Sequence, residues 1–143
     1  MDPDAMMAAL LAKAEDLRQA LLAKVEANLS GDVLQERSGA LKASVVAEIT
    51  ADAAAVAASV SSDGVPYAAI QEYGGTTAPH DIAPVKAQAL VFAGAAGTTF
   101  ARRVHHPGSR LPARAYLGSA LEALQDEIVG GLKAAVLEAL GAA

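Results

Sequence analysis

The sequence predicts an α+β fold: a small, mostly antiparallel β-sheet packed by long N- and C-terminal helices and a short middle helix. Two observations lead to this class. At both ends of the chain apolar residues recur near the helical period of 3.6, and in the middle they alternate at the strand period of 2. A length of 143 residues predicts a single domain spanning residues 1–143.

Residues 3–29 are predicted to form one long amphipathic helix. Asp2 can cap this helix, and Pro3 suits the first helical position, where a backbone N–H has no partner within the helix. Gly31 is a stop signal at the other end. The apolar stripe expected to face the core consists of Leu10, Ala14, Leu17, Leu21, Val25 and Leu29.

The region 38–112 is predicted to hold the sheet and its loops. A short helix at 40–44 precedes a hairpin, whose strands at 45–50 and 56–60 are joined by a turn at 52–54.

A second short helix at 65–73 is predicted to end at a pair of glycines. The segment 75–84 is rich in Gly, Thr and Pro, which favours a loop. Two further strands are predicted at 89–93 and 98–105, around a turn at 94–97.

Residues 113–140 are predicted to form the C-terminal helix. Gly130 and Gly131 interrupt its pattern, at a cost of about 1 kcal/mol per glycine relative to alanine. A bend there, or close approach of a neighbouring backbone, would explain the pair. The helix has an apolar stripe of Leu117, Leu121, Leu124, Ile128, Leu132, Val136 and Leu140.

Composition excludes several protein classes. The chain has no cysteine, so it has no disulfide scaffold, thiolate zinc site or cysteine nucleophile. No apolar run approaches the ~20 residues that span a bilayer, and the N-terminus is acidic where a signal peptide is basic. We therefore expect a soluble protein made in the cytoplasm. The hydrophobic fraction is 53% but the aromatic fraction only 3%, which favours stability gained from neighbours in an assembly over a deep ligand pocket.

Charge is unevenly distributed along the chain. The net charge is −5, which argues against a general nucleic-acid-coating role. Residues 82–121 nevertheless contain no acid, which predicts a surface that meets an anionic partner such as a neighbouring copy; the alternative is a solvated loop with scattered arginines. The cations of this segment are Lys86, Arg102, Arg103, Arg110 and Arg114.

The sequence predicts no catalytic, cofactor or metal site. His105 and His106 are adjacent on a predicted strand, so they point to opposite faces and do not readily share an ion with His80 or Asp81. No GxSxG or HExxH pattern occurs, and no lysine follows the glycines at 94–97 as in a phosphate-binding loop. Glu72 and Asp81 are carboxylates near one loop, but nothing in the sequence sets their separation.

Three segments carry a resemblance when taken together. They are Ser38-Gly39-Ala40-Leu41-Lys42-Ala43-Ser44-Val45, Pro66-Tyr67-Ala68-Ala69-Ile70-Gln71-Glu72-Tyr73-Gly74 and Pro112-Ala113-Arg114-Ala115-Tyr116-Leu117. In this order and spacing they resemble the phage head–tail joining proteins, the small tail-completion and tail-terminator proteins of long-tailed phages, prophages and gene transfer agents. Ala115 and Tyr116 stand where the family has proline and phenylalanine. The motif residues are Ser38, Gly39, Leu41, Ser44, Pro66, Tyr67, Glu72, Gly74, Pro112, Arg114 and Leu117.

The motif residues also have local structural roles. Ser38 and Ser44 are expected to bond backbone groups at the ends of the short helix, with Leu41 buried beneath it. Tyr67 and Tyr73 are expected to pack the middle helix onto the sheet.

The resemblance implies a structural virion protein rather than an enzyme. Such proteins form rings, commonly six-fold, that terminate the tail tube, join it to the head connector and leave a lumen for double-stranded DNA. The implied partners are other copies of the chain, the tube protein and the connector, with DNA as passing cargo and no membrane. The segments 75–88 and 94–112 would reach neighbouring layers. The candidate contact residues are Arg102, Arg103, Arg110, Arg114, Lys86 and His80.

Two other functions remain open from the sequence. One is a non-viral α+β module for protein interaction. The other is a small hydrolase or metal enzyme built around His80, Asp81 and Glu72.

Overall fold

The computed structural model describes residues 3–35, 37–52, 54–94 and 97–141. It confirms the α+β class, with long helices at both ends, a short middle helix and small antiparallel sheets. The chain divides into two compact units. The helical unit comprises the residues before Gly74 and those after Pro112, and the ribbon unit is Gly74–Pro112.

The N-terminal helix α1 spans Pro3–Ala27 and continues into a π-helical turn at Asn28–Asp32. Gly31 has φ of 134°, a conformation that disfavours side chains with a Cβ, so the predicted stop signal is confirmed. The predicted cap, Asp2, lies outside the described residues. Of the predicted stripe, four residues are buried and the other two, Leu10 and Leu21, are half-buried.

The predicted hairpin is confirmed. Helix α2 (Ala40–Ala43) leads into β1 (Val45–Ala51), which pairs antiparallel with β2 (Val56–Ser62). Asp52 closes the turn, because its Oδ1 accepts hydrogen bonds from the Ala54 and Ala55 N–H groups at 2.8 and 2.9 Å. Residue 53 of the predicted turn lies outside the described residues. The hairpin packs against α1.

The C-terminal helix α4 spans Gly118–Gly141 and begins later than the predicted start at 113. The preceding residues are held by the middle helix α3 (Ala68–Tyr73): the Arg114 N–H donates to the Gln71 carbonyl at 2.7 Å. The Leu117 and Gly118 N–H groups donate to the Glu72 carboxylate at the observed start of α4.

Helix α4 is continuous through Gly130 and Gly131. A Cβ on Gly131 would lie 2.7 Å from Cε of Lys13 on α1, so the close neighbour is a side chain rather than the backbone of the second explanation. A Cβ on Gly130 would have no neighbour within 4 Å.

Gly130→Ala is expected to stabilise the protein by about 0.5–1 kcal/mol, because alanine loses less backbone entropy in a helix and meets open space here. Thermal unfolding followed by circular dichroism measures the change. Gly131→Ala is the matched control, and it should gain less because Lys13 must move. Equal gains at the two positions would contradict this explanation.

The core of the helical unit is small. Its buried cluster joins the end of α1 to the start of α4 through Val25, Leu29, Leu34, Tyr116 and Ala120. Two members of the predicted C-terminal stripe lie outside the core, since Leu121 is 53% and Leu140 40% exposed.

The ribbon unit consists of three two-stranded antiparallel ladders: β3 (Gly75–Thr76) with β8 (Arg110–Leu111), β4 (His80–Ile82) with β7 (Val104–His106), and β5 (Leu90–Gly94) with β6 (Gly97–Ala101). With β1 and β2, the described residues therefore form four separate ladders rather than one sheet. No described residue of this unit is buried.

Two predictions in this unit are corrected. The segment 75–84 was expected to be a loop, yet it contains β3 and β4, whose partners come much later in the chain. The strand expected at 98–105 is divided at Arg102 and Arg103, because β6 pairs with β5 while β7 pairs with β4. The hairpin of β5 and β6 is confirmed, although residues 95 and 96 of its turn lie outside the described residues.

Neither long helix has an apolar stretch of the length that a membrane crossing requires, in the residues that the structure describes.

Candidate functional site

The first motif forms a compact link between α2 and the hairpin. Gly39 has φ of 71° directly before α2, and the Ala40 N–H donates to Ser38 Oγ at 3.4 Å. At the other end of α2, Ser44 Oγ donates to the Leu41 carbonyl and bonds Ser62 Oγ, both at 2.7 Å. The expected serine contacts are therefore confirmed, and Leu41 packs against the core.

The second motif places a carboxylate at the start of α4. Glu72 is 6% exposed, and its two oxygens accept hydrogen bonds from the Leu117 and Gly118 N–H groups at 2.9 and 2.8 Å. These donors have no partner within the helix, and a negative charge is favourable at this end of the helix dipole. Glu72 thus caps a helix that begins far along the chain.

Glu72→Ala is expected to lower the free energy of unfolding by about 1–2 kcal/mol, because two helix-start N–H groups lose their acceptor. Urea denaturation measures the loss. Glu72→Gln keeps one acceptor oxygen and is the matched control, with a smaller expected loss. Unchanged stability of Glu72→Ala would contradict the capping role.

The tyrosines of the second motif do not pack as predicted. Tyr67 is 41% exposed and Tyr73 is 80% exposed, whereas Tyr116 of the third motif is 1% exposed. Tyr116 is the buried tyrosine because it packs with residues of α1 and α4. The sequence pattern around α3, on which the prediction for Tyr67 and Tyr73 was based, does not reveal this packing.

Asn28 is a structural residue that no sequence motif singles out. It is 2% exposed, and its Nδ2 donates to the Tyr116 carbonyl at 2.9 Å and to Ser119 Oγ at 3.1 Å. It ties the end of α1 to the start of α4. A polar residue next to Leu29 on the apolar stripe is the only sequence signal for it.

The three motifs meet at one open groove of about 510 Å³ on the helical unit. The first motif contributes Ser38 and Leu41, the second Tyr67 and Gln71, and the third Arg114. Segments that are far apart in sequence therefore form one surface. We call it the motif groove, and its full lining is Leu29, Leu34, Gln35, Arg37, Ser38, Gly39, Leu41, Lys42, Tyr67, Gln71 and Arg114.

The motif groove is cationic. Arg37, Lys42 and Arg114 line it, and no carboxylate lies among its described lining residues. Lys42 Nζ donates to Ser30 Oγ at 2.9 Å, and neither arginine side chain has a partner in the described part of the chain. The groove can therefore bind an anionic group, with apolar leucines beneath it. Arg37 and Lys42 were not singled out by the sequence, because only folding places them beside Arg114.

The remaining candidate residues lie in the ribbon unit. Asp81 accepts a hydrogen bond from Arg103 Nε at 2.8 Å and bonds Nδ1 of His105 at 2.9 Å. Arg103 is thus already paired within the chain, which weakens its candidacy as a contact for another copy. His80 stacks on His106 with ring centroids 5.1 Å apart.

The other candidate cations of this unit are exposed. Arg102 lies between β6 and β7, Arg110 lies on β8, and Lys86 lies between β4 and β5. None of the three forms an ion pair with a described residue.

The described residues hold no group of three or more His, Cys, Asp or Glu side chains able to bind a metal ion. Glu72 and Asp81 belong to different units, and each carboxylate is engaged locally, Glu72 with backbone N–H groups and Asp81 with Arg103 and His105.

No protein-family model matches the sequence, and neither a curated protein nor a solved structure matches it. The resemblance to head–tail joining proteins is carried by the three motif segments.

Proposed function

We propose that this chain is a structural subunit of a phage-like neck. Copies of it form a six-fold ring that ends the tail tube and joins it to the head connector. The ring would act as a tail terminator or tail-completion component in a virion or gene transfer agent. It would leave a lumen for double-stranded DNA and perform no catalysis. The neck assignment follows the resemblance, and the assembly role follows from the ribbon unit.

The observation that carries the assembly role is the lack of buried side chains in the described part of the ribbon unit. Two-stranded ribbons are marginally stable when isolated in water, because they bury little apolar surface. Their outer edges also present unpaired backbone N–H and carbonyl groups, which favour pairing with another chain. A unit of this kind gains stability when neighbouring subunits cover it.

Exposed apolar side chains on the hairpin of β5 and β6 support the same conclusion. Val91 is 61%, Phe92 42% and Phe100 67% exposed, and the two phenylalanines are the only ones in the chain. Val91 and Phe100 are cross-strand partners, so they share one face of the ribbon. Placing both phenylalanines where water contacts them is unfavourable unless another surface covers them.

Charge is compatible with a lumen. A strongly basic lining would hold DNA phosphates and oppose sliding, whereas the net charge of this chain is −5.

The experiment is deletion of the coding sequence in a producing host, followed by electron microscopy of the particles. We expect heads and tails that fail to join, or tails of irregular length, with rescue by the intact chain. The purified chain is imaged in parallel for rings. Normal joined particles after deletion would overturn the neck assignment, and rings that join no phage component would favour the non-viral interaction module. Turnover of a substrate by isolated single copies would favour the enzyme.

Reversing the charge of Arg102 and Arg110 together is expected to block head–tail joining while the protein still melts cooperatively, because both cations are exposed and unpaired in the described structure. The count of joined particles by electron microscopy measures the effect. The matched control is the double change Arg102→Lys and Arg110→Lys, which keeps both charges. Normal joining after reversal would contradict this prediction and leave both arginines as solvated surface residues.

A further inference from the structure

We infer that the motif groove receives the outer face of α4 from a second copy of this chain, so that copies join head to tail. This inference rests on the proposed function and deepens it, because it names the contact that would build the ring.

The motif groove contributes positive charge and an apolar floor to the proposed contact. Arg37, Lys42 and Arg114 place three positive charges around an opening of about 510 Å³, which accommodates several side chains. Buried Leu29 and Leu34 contribute an apolar floor, and Tyr67 lies at the surface of the lining. A surface of this composition fits acidic side chains that are accompanied by apolar ones.

The outer face of α4 contributes acidic and apolar side chains to the proposed contact. Six residues of α4, from Glu122 to Leu140, follow one another at intervals of three or four positions, so they lie on one side of the helix. All six are exposed. Its acids lie toward the start of the helix and its large apolar side chains toward the end, where Val129 is 45% and Leu137 68% exposed. We define this outer face as Glu122, Asp126, Val129, Lys133, Leu137 and Leu140.

Other acids of the described chain fit the groove less well, because many are already engaged. Glu15 is bonded by Arg18, which lowers the pKa of Glu15 to about 2. Asp32 pairs with Lys24, and Asp52 accepts hydrogen bonds from its own turn.

Glu48 on β1 is exposed, but it stands as a single acid beside one exposed apolar residue, Val46. Glu122 and Asp126 are one helical turn apart, form no ion pair within the described structure and share their face with three large apolar side chains. Charge and apolar complementarity together select α4.

The motif groove and the outer face share no residue, so one copy can offer its groove to one neighbour and insert its helix into another. This head-to-tail contact is heterologous. Each copy then has one groove to offer and one helix face to insert. A heterologous contact closes into a ring when its rotation divides a full turn, and otherwise extends into a filament.

A charge-swap experiment tests the contact. Self-association is measured by sedimentation up to about 1 mM, a concentration at which even a weak contact with a dissociation constant of that order is half-populated. Arg37→Glu with Arg114→Glu, and separately Glu122→Arg with Asp126→Arg, should each weaken association more than about tenfold. Combining all four changes should restore it. Failure of the combination to restore association would overturn the inference.

Cross-linking provides a second test that uses the absence of cysteine from the chain. Gln35→Cys, in the groove, is mixed with Lys133→Cys, on the outer face, and a short bis-maleimide is added. The mixed covalent dimer should form at least about tenfold faster than with the control Ala57→Cys, an exposed residue of β2 that does not line the groove.

The two tests separate this inference from the proposed function. Particles that need the chain for joining, but whose subunits cross-link no faster at Gln35 than at Ala57, would overturn the inference and leave the neck role standing. A fast groove-to-helix cross-link in a chain that particles do not need would support the inference and overturn the neck role. A chain that shows no preferential cross-link, purified or in particles, overturns the inference.

Discussion

Replacing Asn28 by aspartate is expected to lower the free energy of unfolding by about 3 kcal/mol or more, a large part of the 5–15 kcal/mol that stabilises a typical domain. Asn28 is buried and donates through Nδ2 to the Tyr116 carbonyl. A carboxylate cannot donate, so the change would place a buried negative charge against that carbonyl oxygen. The loss is measured by urea denaturation at neutral pH.

The same variant should recover stability in acid. Burial and the nearby carbonyl raise the pKa of the introduced carboxyl above its unfolded value, so the folded state binds a proton more readily and stability rises as the pH falls through the raised pKa. Asn28→Leu is the matched control: it removes the donor without adding a charge, so its smaller loss should not depend on pH. Equal losses for the two variants at neutral pH would contradict the assigned hydrogen bond.

Replacing Tyr116 by alanine is expected to destabilise the protein by about 3–5 kcal/mol, the usual cost of removing a large aromatic side chain from a core. Tyr116 is 1% exposed and belongs to the cluster of Val25, Leu29, Leu34 and Ala120. The core of the helical unit is small, so few other side chains compensate for the cavity. Unfolding by heat and by urea measures the loss, and a loss below about 1 kcal/mol would contradict this packing.

Tyr116→Phe is the matched control, since it keeps the ring and removes the hydroxyl. Burial raises the pKa of Tyr116, and a hydrogen bond with Ser62 opposes that rise in part. The folded pKa therefore lies above the unfolded one. The resulting stability is complete below the ordinary tyrosine pKa of about 10 and is lost as the pH rises through the raised value. Tyr116→Phe should remove this alkaline loss; an unchanged alkaline limb would assign it to another group.

The boundaries of secondary structure show what local sequence conveys. Helix α1, the hairpin of β1 and β2 and the hairpin of β5 and β6 were predicted because their periods and turn residues are encoded within short windows. Strands β3 and β4 were missed. Their partners β8 and β7 lie more than twenty residues away, and short segments rich in Gly, Thr and Pro have little strand propensity of their own.

The candidate site shows what local sequence does not convey. The motifs were visible in the sequence, but their meeting at one groove was not, and Arg37 and Lys42 acquired a role only from their position beside Arg114. Asn28 and Glu72 carry contacts that cross 88 and 46 residues of chain. No periodicity or spacing rule reports such a contact.

By itself, the sequence determined the fold class, the two long helices and the division of the chain into acidic and basic stretches. Propensity, periodicity and composition determine these features because they act within a few residues. The tertiary structure alone decided where α4 begins, which tyrosine is buried and which cations share a groove. Those outcomes depend on which backbone donors find an acceptor and which side chains lose their water when distant segments pack, and both are properties of the folded chain rather than of any segment within it.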